Sequence, residues 1–569
     1  MPGRALVPRL AWLPGYGAEA AAKDAIAGLV LSILLVPQAM AYAQLAGLPP
    51  EMGLFAALLP PVLYALFGTS SFVSLGPVAL VSLVVAEAAG NSGGDPATAA
   101  VLIAIEAGVL LMLLGGLGLG RLVNFISEPV LLGFTAAAAF LIAASQLPTL
   151  LGIEAARSGN LVGALSTLLG SIEQTSWPTL WVGAGALAAL LLANRLAAPL
   201  LWKLGVRPPF RQAIAKAVPL AVIVAAGFAA TLWPGAVATV RAIDAALPSL
   251  PGGLGAPRLW LDLLPSAVAV AIIVFVTATA VAKSLAGSDR SQLDTSREAV
   301  ALGSANIAAA LTGGYAVGAS LSRSALVEDS GARSPLASVV GALVVLAVLL
   351  LLAPLLAFLP ETALAALVIS AVFGLIKWRD IKDVWRHDRI EGAIIALSFL
   401  GTLLLGVRWG LALGAGLGIA HFLWFSSLPR VTRVGTDDGG VTFRSIDREA
   451  VQLETLPTLV VRIDRSLYFG NAAYCEEEIL DRLSEHETIE KLILDMRAVN
   501  DVDASGAAML RRLTVRLREM GVEVHFAEIH APVRARMNGL DSKACTFHRS
   551  VRQAVEHCGV LLDDTLPYT

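Results

Sequence analysis

Charge is what this sequence has least of. Only 15% of its 569 residues are Asp, Glu, Lys or Arg, whereas soluble domains carry about 25%, and 56% are hydrophobic, with a mean hydropathy of +0.73. The shortage is uneven. From Lys23 to about Ser427 the chain is a series of apolar runs long enough to cross a bilayer. From Pro429 onward it is ordinary and charge-rich. A single soluble domain is thereby excluded. The pattern predicts one membrane region of roughly 400 residues and one soluble region of roughly 130. Cysteine is also scarce. Cys475, Cys545 and Cys558 all fall in the soluble part, and their odd number and spacing fit neither a disulfide framework nor a metal site. Such thiols suit a reducing compartment. No stretch combines basic clustering with interleaved aromatics, so nucleic-acid binding is excluded. The net charge of -3 says nothing about partners. His-Glu-x-x-His, Gly-x-Ser-x-Gly and P-loop patterns are all missing, so no enzyme, cofactor or metal is expected. Arg4 and Arg9 precede no apolar core before Lys23, which argues against a cleaved signal peptide.

What is present is membrane hydrocarbon, interrupted. Candidate spans run at 26–46, 52–67, 77–90, 97–118, 128–148, 178–194, 217–235, 265–284, 298–314, 322–331, 335–357, 361–377, 391–406 and 409–426, fourteen in all. Those after Pro77 and Ser322 are too short to cross fully. Between residues 194 and 216 lie Arg195, Lys203, Arg207, Arg211 and Lys216 with no acid, which marks a cytoplasmic loop. The loop 90–96 has no Lys or Arg and is expected outside. Arg379, Lys382, Arg386 and Arg389 place 378–389 inside, and both termini then lie in the cytoplasm.

Fourteen spans divide as seven plus seven, about 23–214 and 215–428, and an odd-numbered repeat is inverted relative to its twin. The third and tenth spans hold equivalent places. They begin at Ser74-Leu75-Gly76-Pro77-Val78-Ala79 and at Gly318-Ala319-Ser320-Leu321-Ser322-Arg323-Ser324. Polar residues at membrane depth are costly and mark function. Two broken helices entering from opposite sides bring their N-termini together near the midplane. Each offers unpaired N–H groups and about half a positive charge, an anion site.

Several further stretches carry a resemblance. Pro37-Gln38-Ala39-Met40-Ala41-Tyr42-Ala43-Gln44-Leu45-Ala46-Gly47-Leu48-Pro49-Pro50 resembles the first-helix signature of the SulP family, the sulfate permease or solute carrier 26 group. Tyr64-Ala65-Leu66-Phe67-Gly68-Thr69-Ser70, Gly76-Pro77-Val78-Ala79, Phe125-Ile126-Ser127 with Gly133-Phe134, Gly303 with Asn306-Ile307, Ser322-Arg323-Ser324 with Gly331-Ala332-Arg333, and Leu359-Pro360 with Leu364-Ala365-Ala366 continue it in order. The resemblance implies a polytopic α-helical membrane protein of inverted repeats split into core and gate domains, usually a homodimer. It implies secondary transport of small anions: sulfate, bicarbonate, chloride, oxalate or dicarboxylates. It places Gln38, Tyr42, Val78, Ser322 and Arg323 at the site, and Gly76, Pro77, Ala79, Thr277, Ser320 and Leu321 are further candidates to line it. Span eight of the family often carries a carboxylate for cation coupling. Thr277 stands there instead, which argues for exchange or uncoupled transport.

Each residue also has a plainer reading. Ser322 reads equally as an N-cap, and Arg323 as a source of field rather than contact. Gln38 and Tyr42 share a helix face and suit interhelical hydrogen bonds. Pro77 suits a helix start. Thr277 suits a bond to its own helix. Glu328 and Asp329 are candidates for coupling, or mark the end of the short helix with Asp329 near Arg333.

After a linker at 429–445, residues 446–569 alternate strand and helix. Strands are expected at 459–463, 491–495 and 522–526, and helices near 474–484, 506–520 and 551–557. This resembles the STAS domain. Asp503-Ala504-Ser505-Gly506 is similar to its Asp-Ser-Ser-Gly loop, which makes Ser505 a candidate phosphorylation site or a helix cap. His525, His548 and His557 lack ligand spacing and are expected on the surface or in packing. Residues 1–22 are expected as a cytosolic segment, 23–428 as the transport domain in a plasma membrane, and the STAS domain as cytoplasmic with a regulatory partner. The competing readings are a nucleobase-type permease and a membrane-anchored regulatory scaffold that transports nothing.

Overall fold

The structure is a computed structural model. It describes residues 10, 12–121, 127–153, 159–203, 205, 210–241, 256–286, 293–436, 442–446, 458–485, 489–537 and 545–560. Phe125-Ile126 and Arg207 lie outside the described residues. The chain forms two compact units, 1–418 and 419–569.

Helix occupies each of the fourteen expected segments. By length and composition, eight helical segments among the described residues are long and apolar enough to cross a membrane: Ala18–Leu45, Pro50–Phe67, Pro96–Gly116, Glu128–Leu151, Trp177–Ala197, Pro257–Leu285, Glu361–His387 and Val407–Ser427. Two short helices were not expected, Leu161–Gly170 and Trp378–His387. The second is strongly amphipathic and charged, so it carries no spanning signal.

Small residues set how closely these helices approach. A methyl on Gly303 would come within 2.6 Å of the Gly108 carbonyl, so Pro96–Gly116 and Thr295–Leu311 touch backbone to backbone. That is how membrane helices gain contact where lipid offers no hydrophobic drive. Buried carboxylates also join elements. Glu298 accepts from the Tyr64 hydroxyl at 2.6 Å and the Thr69 hydroxyl at 2.7 Å. Asp24 accepts from the Arg333 N–H at 2.6 Å and the Ser334 hydroxyl at 2.5 Å, tying the first helix to the entry of Leu336–Leu351.

Two short strands cross at the centre. β1 (Leu75–Gly76) pairs antiparallel with β2 (Gly318–Ala319), with Leu75 opposite Ala319 and Gly76 opposite Gly318. A short helix follows each, Ala79–Asn91 and Leu321–Asp329. The expected starts need adjustment. Val78 caps the first helix, so Pro77 lies outside it and acts through its carbonyl. Ser320, not Ser322, caps the second, because the chain leaves extended geometry there.

The second unit carries a six-stranded sheet of order β4-β3-β5-β6-β7-β8. Its strands are β3 (Val431–Gly435), β4 (Arg444–Ser445), β5 (Thr458–Ile463), β6 (Lys491–Asp495), β7 (Glu523–Ala527) and β8 (Cys545–His548). β5 to β8 are parallel, and β3 runs antiparallel to β5. The residues expected as a linker thus supply β3 and β4. Along the central strands alternate residues face opposite layers. Val461, Leu494 and Phe526 pack with the helices Ala472–Ser484 and Ala504–Glu519. Val460, Ile493 and Ala527 pack with Val551, Ala554 and Val555 of the helix Val551–His557. Burial on both faces explains their unbroken hydrophobic runs.

Candidate anion site at the helix crossing

The site is built where β1 and β2 end. Nothing caps Ala79–Asn91 with a side chain, since valine at the cap position has no acceptor. The first N–H groups of that helix therefore lack an intrahelical partner. At Leu321–Asp329 the Ser320 hydroxyl accepts one N–H, from Arg323, at 3.5 Å. The remaining donors and the aligned peptide dipoles of both helices aim positive potential at the crossing.

Arg323 stands behind this surface. Its side chain is fully buried, at 0% exposure. Nη1 donates to Gln38 Oε1 at 3.2 Å and to the Pro77 carbonyl at 3.0 Å. Among the described residues, Nε and Nη2 have no hydrogen-bond partner and no carboxylate pairs with the guanidinium. Tyr42 and Tyr315 are its electrostatic neighbours. Gly76 packs beside this buried nitrogen: a methyl there would lie 3.4 Å from Nη2 and 3.3 Å from Leu35. The first helix contributes Gln38 and Tyr42, one turn apart and both buried, immediately after Pro37.

The expected residues thus separate into layers. Val78, Ser320, Leu321 and Ser322 keep exposed surface, and the Ser320 and Ser322 hydroxyls lie 3.2 Å apart. Gln38, Tyr42, Gly76, Pro77, Ala79 and Arg323 are buried. Thr277 is half-buried, and its hydroxyl donates to the Ile273 carbonyl of its own helix at 2.6 Å, the plainer reading of that residue. Glu328 and Asp329 are exposed at the opposite end of Leu321–Asp329, so the structure does not bring them to the crossing. No ion pair joins Asp329 to Arg333 among the described residues.

Ser82 and Tyr315 were missed, and Ser74 and Ser324 lie in the stretches singled out above but were given no role there. All are essentially fully buried. Ser82 bonds to the Tyr315 hydroxyl at 2.8 Å, and Ser324 accepts from the Ser74 N–H at 2.9 Å. Polar side chains inside apolar runs were the available signal. Their pairing across the chain had none.

The sulfate permease family model matches residues 22–398, and the STAS domain model matches 449–554. The chain belongs to the sulfate permease family. Among relatives of this permease, the chloroplastic sulfate transporter 4.1 of Arabidopsis thaliana is 31% identical over 580 residues, covering 97% of this chain and 82% of that one. High affinity sulfate transporter 2 of Stylosanthes hamata is 30% identical over 546 residues, covering 92% and 81%. The murine solute carrier 26 family member A9 anion transporter, in its inward-facing state, shares the fold with TM-score 0.86 at 22% identity, over 97% of this chain and 93% of that one. The transmembrane domain of the cyanobacterial bicarbonate transporter BicA aligns with TM-score 0.59 at 20% identity, over 70% and 98%. The permease is a polytopic helical membrane protein with a C-terminal STAS domain.

In that domain Asp503 caps Ala504–Glu519. It accepts from the Gly506 N–H at 2.8 Å and the Phe469 N–H at 2.9 Å. Ser505 is therefore not the cap. It is exposed in the first turn. The three histidines prove to be neighbours, although their spacing in the sequence gave no sign of it. His525 Nδ1 lies 3.1 Å from His548 Nε2, and His557 meets the His525 ring edge-on and the His548 ring at a tilt. Among the described residues, neither these histidines nor any other group of three His, Cys, Asp or Glu side chains is placed to hold a metal ion.

Proposed function

We propose that this permease is a secondary transporter of small anions, bound between the N-termini of Ala79–Asn91 and Leu321–Asp329. The observation that carries this reading is Arg323, a fully buried cation with no acid partner among the described residues, behind two converging helix N-termini. A lone buried charge is costly, and an arriving anion supplies the missing counter-charge. The anion meets backbone N–H groups and the Ser322 hydroxyl directly, and Arg323 acts through its field. Relatives named as sulfate transporters support sulfate as substrate. Bicarbonate, chloride, oxalate and dicarboxylates fit the same chemistry. A nucleobase-type permease is less well supported, because no carboxylate faces the guanidinium to read a neutral ring.

Transport follows an elevator-like movement of a core against a gate, in a homodimer. The chain sits in a plasma membrane with the 194–216 loop, both termini and the STAS domain in the cytoplasm. That domain receives a cytosolic regulatory partner, and Ser505 accepts phosphate there, where a helix N-terminus favours added negative charge. A scaffold that transports nothing would leave the crossing without a purpose.

The lack of an acid in 275–283 favours exchange or uncoupled transport. One observation favours a second reading, proton coupling. Glu106 lies mid-helix in Pro96–Gly116, is 8% exposed, and its Oε2 has no partner. Glu328 and Asp329 are the other candidates. The anion site itself is tested by Ser322→Ala and Gln38→Ala. Each raises the KM for anion uptake roughly three- to tenfold, the loss of about one hydrogen bond. Melting temperatures stay within a few degrees. Unchanged KM in both variants counts against the site.

A further inference from the structure

The two halves of the crossing are tied to each other by a reciprocal pair of serines. Gly76 and Gly318 face each other across the antiparallel pair, so the local two-fold passes between them. Ser82 is the fourth residue of Ala79–Asn91, and Ser324 is the fourth residue of Leu321–Asp329. Each reaches across to the segment that leads into the other half's strand. Ser82 Oγ bonds to the hydroxyl of Tyr315, just before β2, at 2.8 Å. Ser324 Oγ accepts from the N–H of Ser74, the residue before β1, at 2.9 Å. All four residues are at most 1% exposed. Asn306 reinforces one side, donating to the Val317 carbonyl at 3.1 Å and accepting from the Val317 N–H at 2.9 Å.

We infer that Ser82 with Tyr315, and Ser324 with Ser74, are positioning residues that fix the separation of the two helix N-termini and so set anion affinity. This rests on the anion-site reading above. None of these side chains needs to touch the anion. A dipole-built site works only if its donors are held at a set distance, because the potential of a helix end fades within its last turn. Two strands of two residues each are too short to hold that distance alone. The cross-ties add bonds at the first turn of each helix, where a shift would otherwise splay the donors. The ties differ in kind. The Ser82 tie joins two side chains. The Ser324 tie holds backbone only.

The test is a double-mutant cycle on the full-length protein in proteoliposomes, read by sulfate uptake. Ser82→Ala, Tyr315→Phe and their combination are compared, with Ser324→Ala as an independent tie. Tyr315→Phe keeps the ring's shape, so it folds even if the alanine variants do not. Melting curves are run alongside. The expected result is a KM raised roughly three- to tenfold in each single variant, with the maximal rate little changed. The combined variant falls no further than the worse single one, the signature of one shared interaction. A fall in melting temperature with KM unchanged makes the ties structural and overturns the positioning role, while the anion reading stands. Additive losses in the combined variant also overturn it, since the two groups then act apart. A wild-type protein that takes up none of sulfate, bicarbonate, chloride, oxalate or dicarboxylate overturns the anion reading, and this inference with it.

Discussion

Arg323 is the residue whose chemistry constrains the permease most. Its guanidinium is planar and presents several donors at once. One nitrogen serves both Gln38 and the Pro77 carbonyl, which fastens the first helix and the entry of Ala79–Asn91 to Leu321–Asp329. Arg323→Lys keeps the charge but loses the planar guanidinium, and Arg323→Gln loses both. If the field is the main contribution, Arg323→Gln lowers anion affinity by at least about tenfold, whereas Ser322→Ala, which removes one hydroxyl, costs only a few-fold. Anion titration of both variants decides it, and equal losses would contradict the field role. At this scale the sequence was informative about which residues matter and less so about what they do. Arg323, Gln38 and Ser322 could be picked out as polar groups in an apolar region. The cap went to Ser320 and not Ser322, and to Asp503 and not Ser505, because capping depends on where the chain turns from extended to helical. A residue's type does not fix that point.

At the scale of elements, the crossing and the edge of the sheet each make a prediction. A methyl on Gly318 would lie 3.0 Å from Val78 Cγ2. Gly318→Ala therefore pushes Val78, the cap of Ala79–Asn91, and is expected to cost about 1–3 kcal/mol by overpacking. Gly76→Ala meets Leu35 at 3.3 Å and is expected to cost less. Thermal unfolding in detergent gives the order, and Gly76→Ala being the worse of the two would count against it. In the second unit His525, His548 and His557 gather with ring centroids 5.0 to 5.8 Å apart. Burial, and then the charge of His548, hold His525 below its ordinary range. Burial, and then His557, do the same for His548. Glu523 opposes this at His525, and Lys491 adds to it. The folded form binds fewer protons than the unfolded form once the pH drops below about 6.5, the ordinary histidine value. Stability of this unit is therefore flat above about pH 7 and falls as the pH drops from 6.5, by up to about 1.4 kcal/mol per unit for each proton. Circular dichroism against pH shows the fall in the wild type and a flatter curve for His548→Gln. The helices and central strands were legible from period and run length, whereas β3, β4 and β8 were not. β4 spans two residues, β8 spans four, and β3 lies in what read as a linker. Such strands are defined by their partners.

On the scale of the whole molecule, the architecture was readable because hydrophobicity that extends over a bilayer thickness has few solutions. The seven-plus-seven count followed, and the antiparallel pairing of β1 with β2 is the local geometry that an inverted repeat requires. The ties across the crossing were not readable, since Ser82 and Tyr315 lie in different halves of the chain. The three cysteines offer a practical handle. All are buried, and burial pushes the Cys475 thiol up to about 12 and the Cys558 thiol above its usual range. Because the thiolate is the reactive form, the native protein is expected to resist maleimide at neutral pH. Labelling measured by mass shift before and after unfolding checks this. Rapid native labelling would contradict the placement of these residues.

The most direct test of the central claim is radiolabelled sulfate uptake into proteoliposomes. One set is preloaded with sulfate or bicarbonate and another is left empty, each with and without an inward proton or sodium gradient. Anion transport without a carboxylate in 275–283 predicts uptake that ignores both gradients and is faster into preloaded vesicles, and uptake that Ser322→Ala weakens. Uptake that requires a proton gradient and is lost in Glu106→Gln would replace exchange with proton coupling. No uptake of sulfate or of any other small anion, by a folded protein in sealed vesicles, would contradict the account.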